Sequence, residues 1–221
     1  MDNRGLPRYQ RLYTVVSVIF ALSCVGIGAY VLATGGPLPR GLGGLAALLC
    51  LLIGPICRRL FRLQKALLVD ACLLVFILLA FTLGVALGLY SYIWWYDLAA
   101  HLLSGAVAAQ LGLYLYWMLR EDKTAPMARD ATAASGFAFF FAQFIAIVWE
   151  MFEFVSDKLT GNDSQCVAAT GVNDTMEDMM IAMAGSVVMA VLMWLHLRGK
   201  HRSWTMKPAD EFFRANYGKE T

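Results

Sequence analysis

Six apolar runs, separated by short polar connections, leave this chain few ways to fold. About 20 apolar residues cross the hydrocarbon core of a bilayer, and in that medium a single segment satisfies its backbone polar groups only as a helix. The runs lie at about 12–34, 42–56, 66–90, 98–119, 131–155 and 175–197. The second is the shortest, is rich in glycine and carries Pro55 near its end. The whole chain is 59% hydrophobic and 15% charged, with a mean hydropathy of +0.60, well away from a soluble domain. The expectation is an all-α polytopic membrane protein: a six-helix bundle forming one transmembrane domain over residues 1–221, with a tail from 198 onward. Its 221 residues leave no room for a second sizeable domain.

Lysine and arginine alternate between the connections. The N-terminal tail holds Arg4, Arg8 and Arg11, and the first loop only Arg40. The second loop holds Arg58, Arg59, Arg62 and Lys65, and the third none. The fourth holds Arg120, Lys123 and Arg129, and the fifth only Lys158. The C-terminal tail is rich again, from Arg198 to Lys219. The positive-inside rule then puts both termini of the multi-pass chain in the cytoplasm. The N-terminal apolar run is too long for a cleaved signal peptide and ends in Thr34-Gly35-Gly36-Pro37, so it reads as a retained helix. The tail from Arg202, with Trp204, Phe212 and Phe213, reads either as a surface-lying segment or as a frayed end. Nucleic-acid binding has no support, because the basic residues sit in short loops and tails beside the spans. Five cysteines show no metal-binding spacing, and four of them lie in or beside apolar runs, where cysteine packs as a small hydrophobe.

The polar residues that resist this pattern are carboxylates. Glu150, Glu153 and Asp157 are spaced i, i+3, i+7 and share one helical face within an arc of about 60°. Gln143 and Ser135 fall on the same face further back. Asp97 and His101 are spaced i, i+4 at the start of the fourth run, as are Asp174 and Asp178 at the start of the sixth. The charge pattern brings all three groups to one membrane depth, on the outer side. Beneath them the small residues Ser104, Gly105, Ala108, Gly112 and Gly185 favour close helix packing. Asp97 and Asp174 each suit a helix N-terminus on their own, and Glu177 suits water. Glu150 and Glu153 do not: they are read as closing their helix, the unfavourable end for negative charge.

Clustered carboxylates with one imidazole must share protons or hold a cation. That donor set suits Zn²⁺, Mg²⁺, Mn²⁺ or Ca²⁺. The expected ligands are His101, Glu150, Glu153, Asp174 and Asp178, with Asp97 orienting His101 through its other ring nitrogen. Glu150 and Asp157 are the expected catalytic carboxylates, with Asp157 as a base. Asp70 lies near the cytoplasmic end of its helix beside Lys65, where snorkelling or pairing explains it. His-Glu-x-x-His and Gly-x-Ser-x-Gly are both absent, as are the many histidines that membrane di-iron or haem sites need.

The ordered set Tyr96-Asp97-Leu98-Ala99-Ala100-His101 with Gly105, Trp149-Glu150 with Glu153, and Asn173-Asp174-Thr175 with Asp178 and Gly185 resembles the YjdF-type family of bacterial inner-membrane proteins. It is similar, more distantly, to VanZ-like proteins, which are associated with glycopeptide-antibiotic resistance. The resemblance covers about 97–185 and implies a small polytopic protein with a polar site on the non-cytoplasmic side. Glu153 and Asn173 stand where the VanZ-like pattern has glutamine and arginine, so resistance is not carried over. Three functions fit the residues. One is a metal-dependent hydrolase or transferase acting on a membrane lipid or lipid-linked substrate. Another is an ion- or proton-coupled transporter. The third is an accessory protein with a structural cation.

Overall fold

The computed structural model describes residues 6–36, 38–122, 124 and 126–218. Arg4, Pro37, Lys123 and Lys219 lie outside them, as do the side chains of Arg8 and Arg40. Every regular element among the described residues is helical. Among the described residues, five helices are long and apolar enough to cross a membrane: Tyr9–Ala33, Leu67–Ala86, Tyr96–Leu119, Ala128–Thr160 and Asn173–Leu197. The chain divides into one unit of Met1–Tyr96 with Asp210–Asn216 and another of Asp97–Ala209 with Tyr217–Thr221.

In the first unit, α1 (Leu6–Ala33) and α2 (Leu38–Phe61) pack through glycine. A Cβ on Gly28 would come within 2.8 Å of the Gly41 carbonyl oxygen, and one on Gly44 would overlap that of Cys24. The core here is Phe20, Cys24, Ala47, Leu74 and Ile77. α2 is longer than the expected run, extending past Pro55 to Phe61. The third run is not one regular helix. α3 (Leu67–Ile77) passes into a π-helical stretch, Leu78–Ala86, in which Leu87 N–H donates five residues back to Thr82. The Tyr96 hydroxyl takes up the Leu79 carbonyl within that stretch, at 2.8 Å. Gly88, at φ +78°, ends it, and a short turn α4 (Leu89–Tyr92) follows.

Asp70 is buried and pairs with Arg58 rather than with Lys65. The Lys65 ammonium instead sits 4.8 Å above the Tyr13 ring. The tail is neither frayed nor free. Trp204–Met206 forms a 3₁₀ turn leading into α9 (Lys207–Tyr217), and Met206, Phe212, Phe213 and Tyr217 are buried. Glu211 accepts from the free N–H groups of Leu67 and Leu68 at 2.9 and 2.7 Å, capping α3. Asn216 accepts from the Gln64 N–H at 2.7 Å.

The second unit is built on α5 (Tyr96–Leu119), α6 (Ala131–Thr160) and α8 (Asn173–Leu197). α5 and α8 approach backbone to backbone. A Cβ on Gly105 would overlap the Ala182 carbonyl, and a Cβ on Gly185 would overlap that of Leu102. α5 meets α6 at Gly112, where a Cβ would lie 3.0 Å from the Ala138 Cα. α6 and α8 are joined by the Gln143 amide, which donates to the Ser186 hydroxyl at 2.7 Å. α6 runs to Thr160 rather than stopping at 155, and Gly161, at φ +73°, ends it. The fifth loop is correspondingly shorter, residues 161–172, and contains a helical turn, α7 (Val167–Thr170). At the other end of α5, Arg120 bridges Asp122 and Asp130, closing the connection to α6.

Gly105→Ala should lower stability by roughly 1–3 kcal/mol, because the helices must part to admit a methyl group against a carbonyl. Gly136→Ala is the control: nothing lies within 4 Å of a Cβ there, so it should be neutral or slightly stabilising. Thermal melts of the two variants in detergent check the contrast.

Candidate functional site

His101 lies one helical turn before Gly105 on α5, and Asp178 two turns before Gly185 on α8. The close approach of those backbones carries the two side chains together. His101 Nε2 is 3.5 Å from Asp178 Oδ2 and 3.5 Å from Asp97 Oδ1. One ligand atom from each of the three residues lies within 4.8 Å of the others. Asp178 is almost wholly buried, at 4% exposure, and Asp97 and His101 are half-buried. Asp97 and Asp174 both fall in the first turn of their helices, where the backbone dipole favours negative charge.

The other expected residues surround this triad. Glu150 is buried at 6% exposure, and Glu153, Asp157 and Asp174 are half-buried. The charges of Asp97, Asp174, Glu150 and Glu153 all bear on Asp178, and those of Glu150, Asp97 and Asp157 on Glu153. The structure therefore draws the sequence-predicted carboxylates into one electrostatic cluster. Within it, only Asp97, His101 and Asp178 are close enough to share one ion as they stand. Glu150, Glu153 and Asp174, expected as ligands, fall outside that group, and Asp97, expected to orient His101 through its other ring nitrogen, instead faces the same Nε2 as Asp178. Among the described residues, the basic side chain within ion-pair distance of these carboxylates is the His101 imidazole. Lys158 is turned to the Phe154 ring, 5.4 Å from its centroid.

Because α6 continues to Thr160, Glu150 and Glu153 lie inside the helix and not at its end. The unfavourable dipole expected at a helix end therefore does not bear on them as read from the sequence, and Glu150 is held by hydrogen bonds. Gln165, itself buried at 7% exposure, donates through Nε2 to Glu150 Oε2 at 3.2 Å and to the Glu150 carbonyl at 3.3 Å. The Thr175 side chain also hydrogen-bonds Glu150. Asp157 Oδ2 accepts from the Gln165 N–H at 3.1 Å, while Asp157 Oδ1 is buried with no hydrogen-bond partner. Gln165 escaped the sequence reading because a loop residue has no helical face to share. Thr175 sits beside Asp174, and adjacency was the one signal that could have suggested it.

A family described as "Predicted membrane protein (DUF2238)" matches residues 11–199. The chain belongs to this family. The match covers all five helices that are long enough to span, apart from the first two residues of the first, and every residue of the acidic cluster. It is consistent with the YjdF-type resemblance read from 97–185 and extends it to the earlier helices. Beyond this DUF2238 assignment, no curated protein and no solved structure matches the chain.

Cys166 lies in the loop that joins α6 to α8, its thiol donating to the Ser164 carbonyl at 3.9 Å and within electrostatic reach of Asp174. Although the residue is exposed, desolvation of the thiol, then the charges of Asp174, Asp163 and Asp97, push it up to about 11. Raising the pKa starves the thiolate at neutral pH. Maleimide labelling of Cys166 should therefore keep climbing, about tenfold per pH unit, through pH 10. An ordinary thiol would level off about two units earlier; a plateau near pH 9 would contradict the environment described.

Proposed function

We propose that this DUF2238 protein holds one divalent cation between Asp97, His101 and Asp178, and that the site serves hydrolysis or group transfer on a lipid or lipid-linked substrate. The observation that carries the reading is the triad itself. Two carboxylate oxygens flank an imidazole nitrogen at equal distance, with the second carboxylate buried in a helix interface.

The donor chemistry supports it. A nitrogen and two oxygens make the three-ligand set of many catalytic sites, and suit Zn²⁺ or Mn²⁺ better than the all-oxygen cages of Ca²⁺ or Mg²⁺. Such an ion, when bound, supplies Lewis acidity at neutral pH. The chain's own residues supply the rest. Glu150 is fixed by the Gln165 amide and by Thr175, so its carboxylate is held in one orientation beside the triad. Asp157 offers a buried oxygen with no other partner, which fits it to accept a proton from an attacking group. Exposed apolar side chains surround the site on the same helices, including Phe152, Phe154, Met176 and Met180. They favour a substrate that arrives through lipid. α2 makes a sixth span in this reading, and the alternation of basic loops puts the site at the outer leaflet with both termini in the cytoplasm.

Elemental analysis of detergent-purified protein should find about one divalent ion per chain in the wild type. His101→Ala and Asp178→Ala should each lower affinity for Mn²⁺ or Zn²⁺ at least tenfold, since removing a ligand costs no less than disturbing its surroundings. Wild-type protein that binds neither ion more tightly than the two variants would remove the proposal.

A further inference from the structure

We propose that residues 161–172 form a strap across the acidic site, latched by the Gln165 side chain on Glu150, and that the site opens when this latch lets go. What the strap admits rests on the cation-site reading above; the latch itself does not.

Gln165 is the one buried residue of the strap. Its amide forks to the main chain and the carboxylate of Glu150, and its N–H reaches Asp157. Both anchors are on α6. Cys166, next along, brings its thiol within electrostatic reach of Asp174 on α8. The strap thus crosses from one helix to the other on polar interactions. Its apolar side chains contribute no core: Val167 and Val172 are 53% and 65% exposed. A segment held by a few hydrogen bonds and little buried apolar surface opens at low cost.

The strap is also shaped to move as a body. Gly161 and Gly171 bound it at φ +73° and +68°, a region that side-chain-bearing residues rarely adopt. Between them Asp163 caps α7 with both carboxylate oxygens, on the N–H groups of Val167 at 2.7 Å and Ala168 at 3.0 Å. The middle is therefore stiff and the ends are jointed. Glu150, which the strap holds, and Asp178, whose neighbour Asp174 the Cys166 thiol reaches, are the most deeply buried carboxylates of the cluster. Gln165 is a positioning residue in this arrangement, acting through Glu150.

Hydrogen exchange of the full chain, purified in detergent with chelator, tests the latch. The peptide over residues 162–166 should exchange about tenfold faster in Gln165→Ala and Glu150→Ala than in the wild type. Glu150→Gln keeps an oxygen that can accept from Gln165, so it should stay close to wild type. Unchanged exchange in α8 shows that each variant is folded. Equal strap exchange in Gln165→Ala and wild type overturns the latch, as does a Glu150→Gln variant that exchanges like Glu150→Ala. Mn²⁺ uptake then tests the gate: Gln165→Ala should fill faster than wild type to a similar occupancy. Equal filling rates overturn the gating role. If the wild type takes up no Mn²⁺, the cation reading fails, and the exchange result alone decides the latch.

Discussion

His101 meets Asp178 because two glycines let α5 and α8 touch through their backbones. Gly105 faces the carbonyl of Ala182, and Gly185 faces that of Leu102. The contact is reciprocal, so the helices are fixed in register as well as in distance. In a bilayer, where lipid is as apolar as leucine, this close packing is a main source of helix association. One turn along α5 and two along α8, the same geometry sets an imidazole against a carboxylate. The polar site is thus a consequence of the stem beneath it.

The chain treats buried charge in two ways. Asp70 in the first unit is neutralised by Arg58, a pairing that keeps an ionised carboxylate tolerable inside an apolar helix pair. The second unit gathers Asp97, Glu150, Glu153, Asp157, Asp174 and Asp178 around one imidazole. Carboxylates gathered this closely share protons or hold a cation, and the cation is the reading proposed above.

Much of this was legible in the sequence, for physical reasons. Helices that cross lipid must be long and apolar, so α1, α5 and α8 announce themselves within a few residues. Glycine on a polar-topped face signals backbone contact, which is how Gly105 and Gly185 stood out before any coordinates. Helix ends were harder. α6 passes through Ser156 and Asp157 to Gly161, because the last turn of a helix tolerates polar residues that a hydropathy reading takes for loop. The π-helical stretch Leu78–Ala86 carries no compositional mark, since its widened turns are stabilised from outside, in part by the Tyr96 hydroxyl. The tail looked polar, yet Glu211 and Asn216 use that polarity to cap α3 and hold Gln64. Gln165 was invisible for the same reason: its partner is fifteen residues away on a helix, and only the fold brings the amide there.

The central claim is that one nitrogen and two carboxylates, brought together by the α5–α8 contact, hold a single cation. Pulsed electron paramagnetic resonance of the Mn²⁺-loaded protein tests it most directly. One directly coordinated imidazole nitrogen should modulate the signal of the wild type and vanish in His101→Ala. A bound-ion spectrum with no nitrogen coupling, or coupling that survives the loss of His101, would contradict the account.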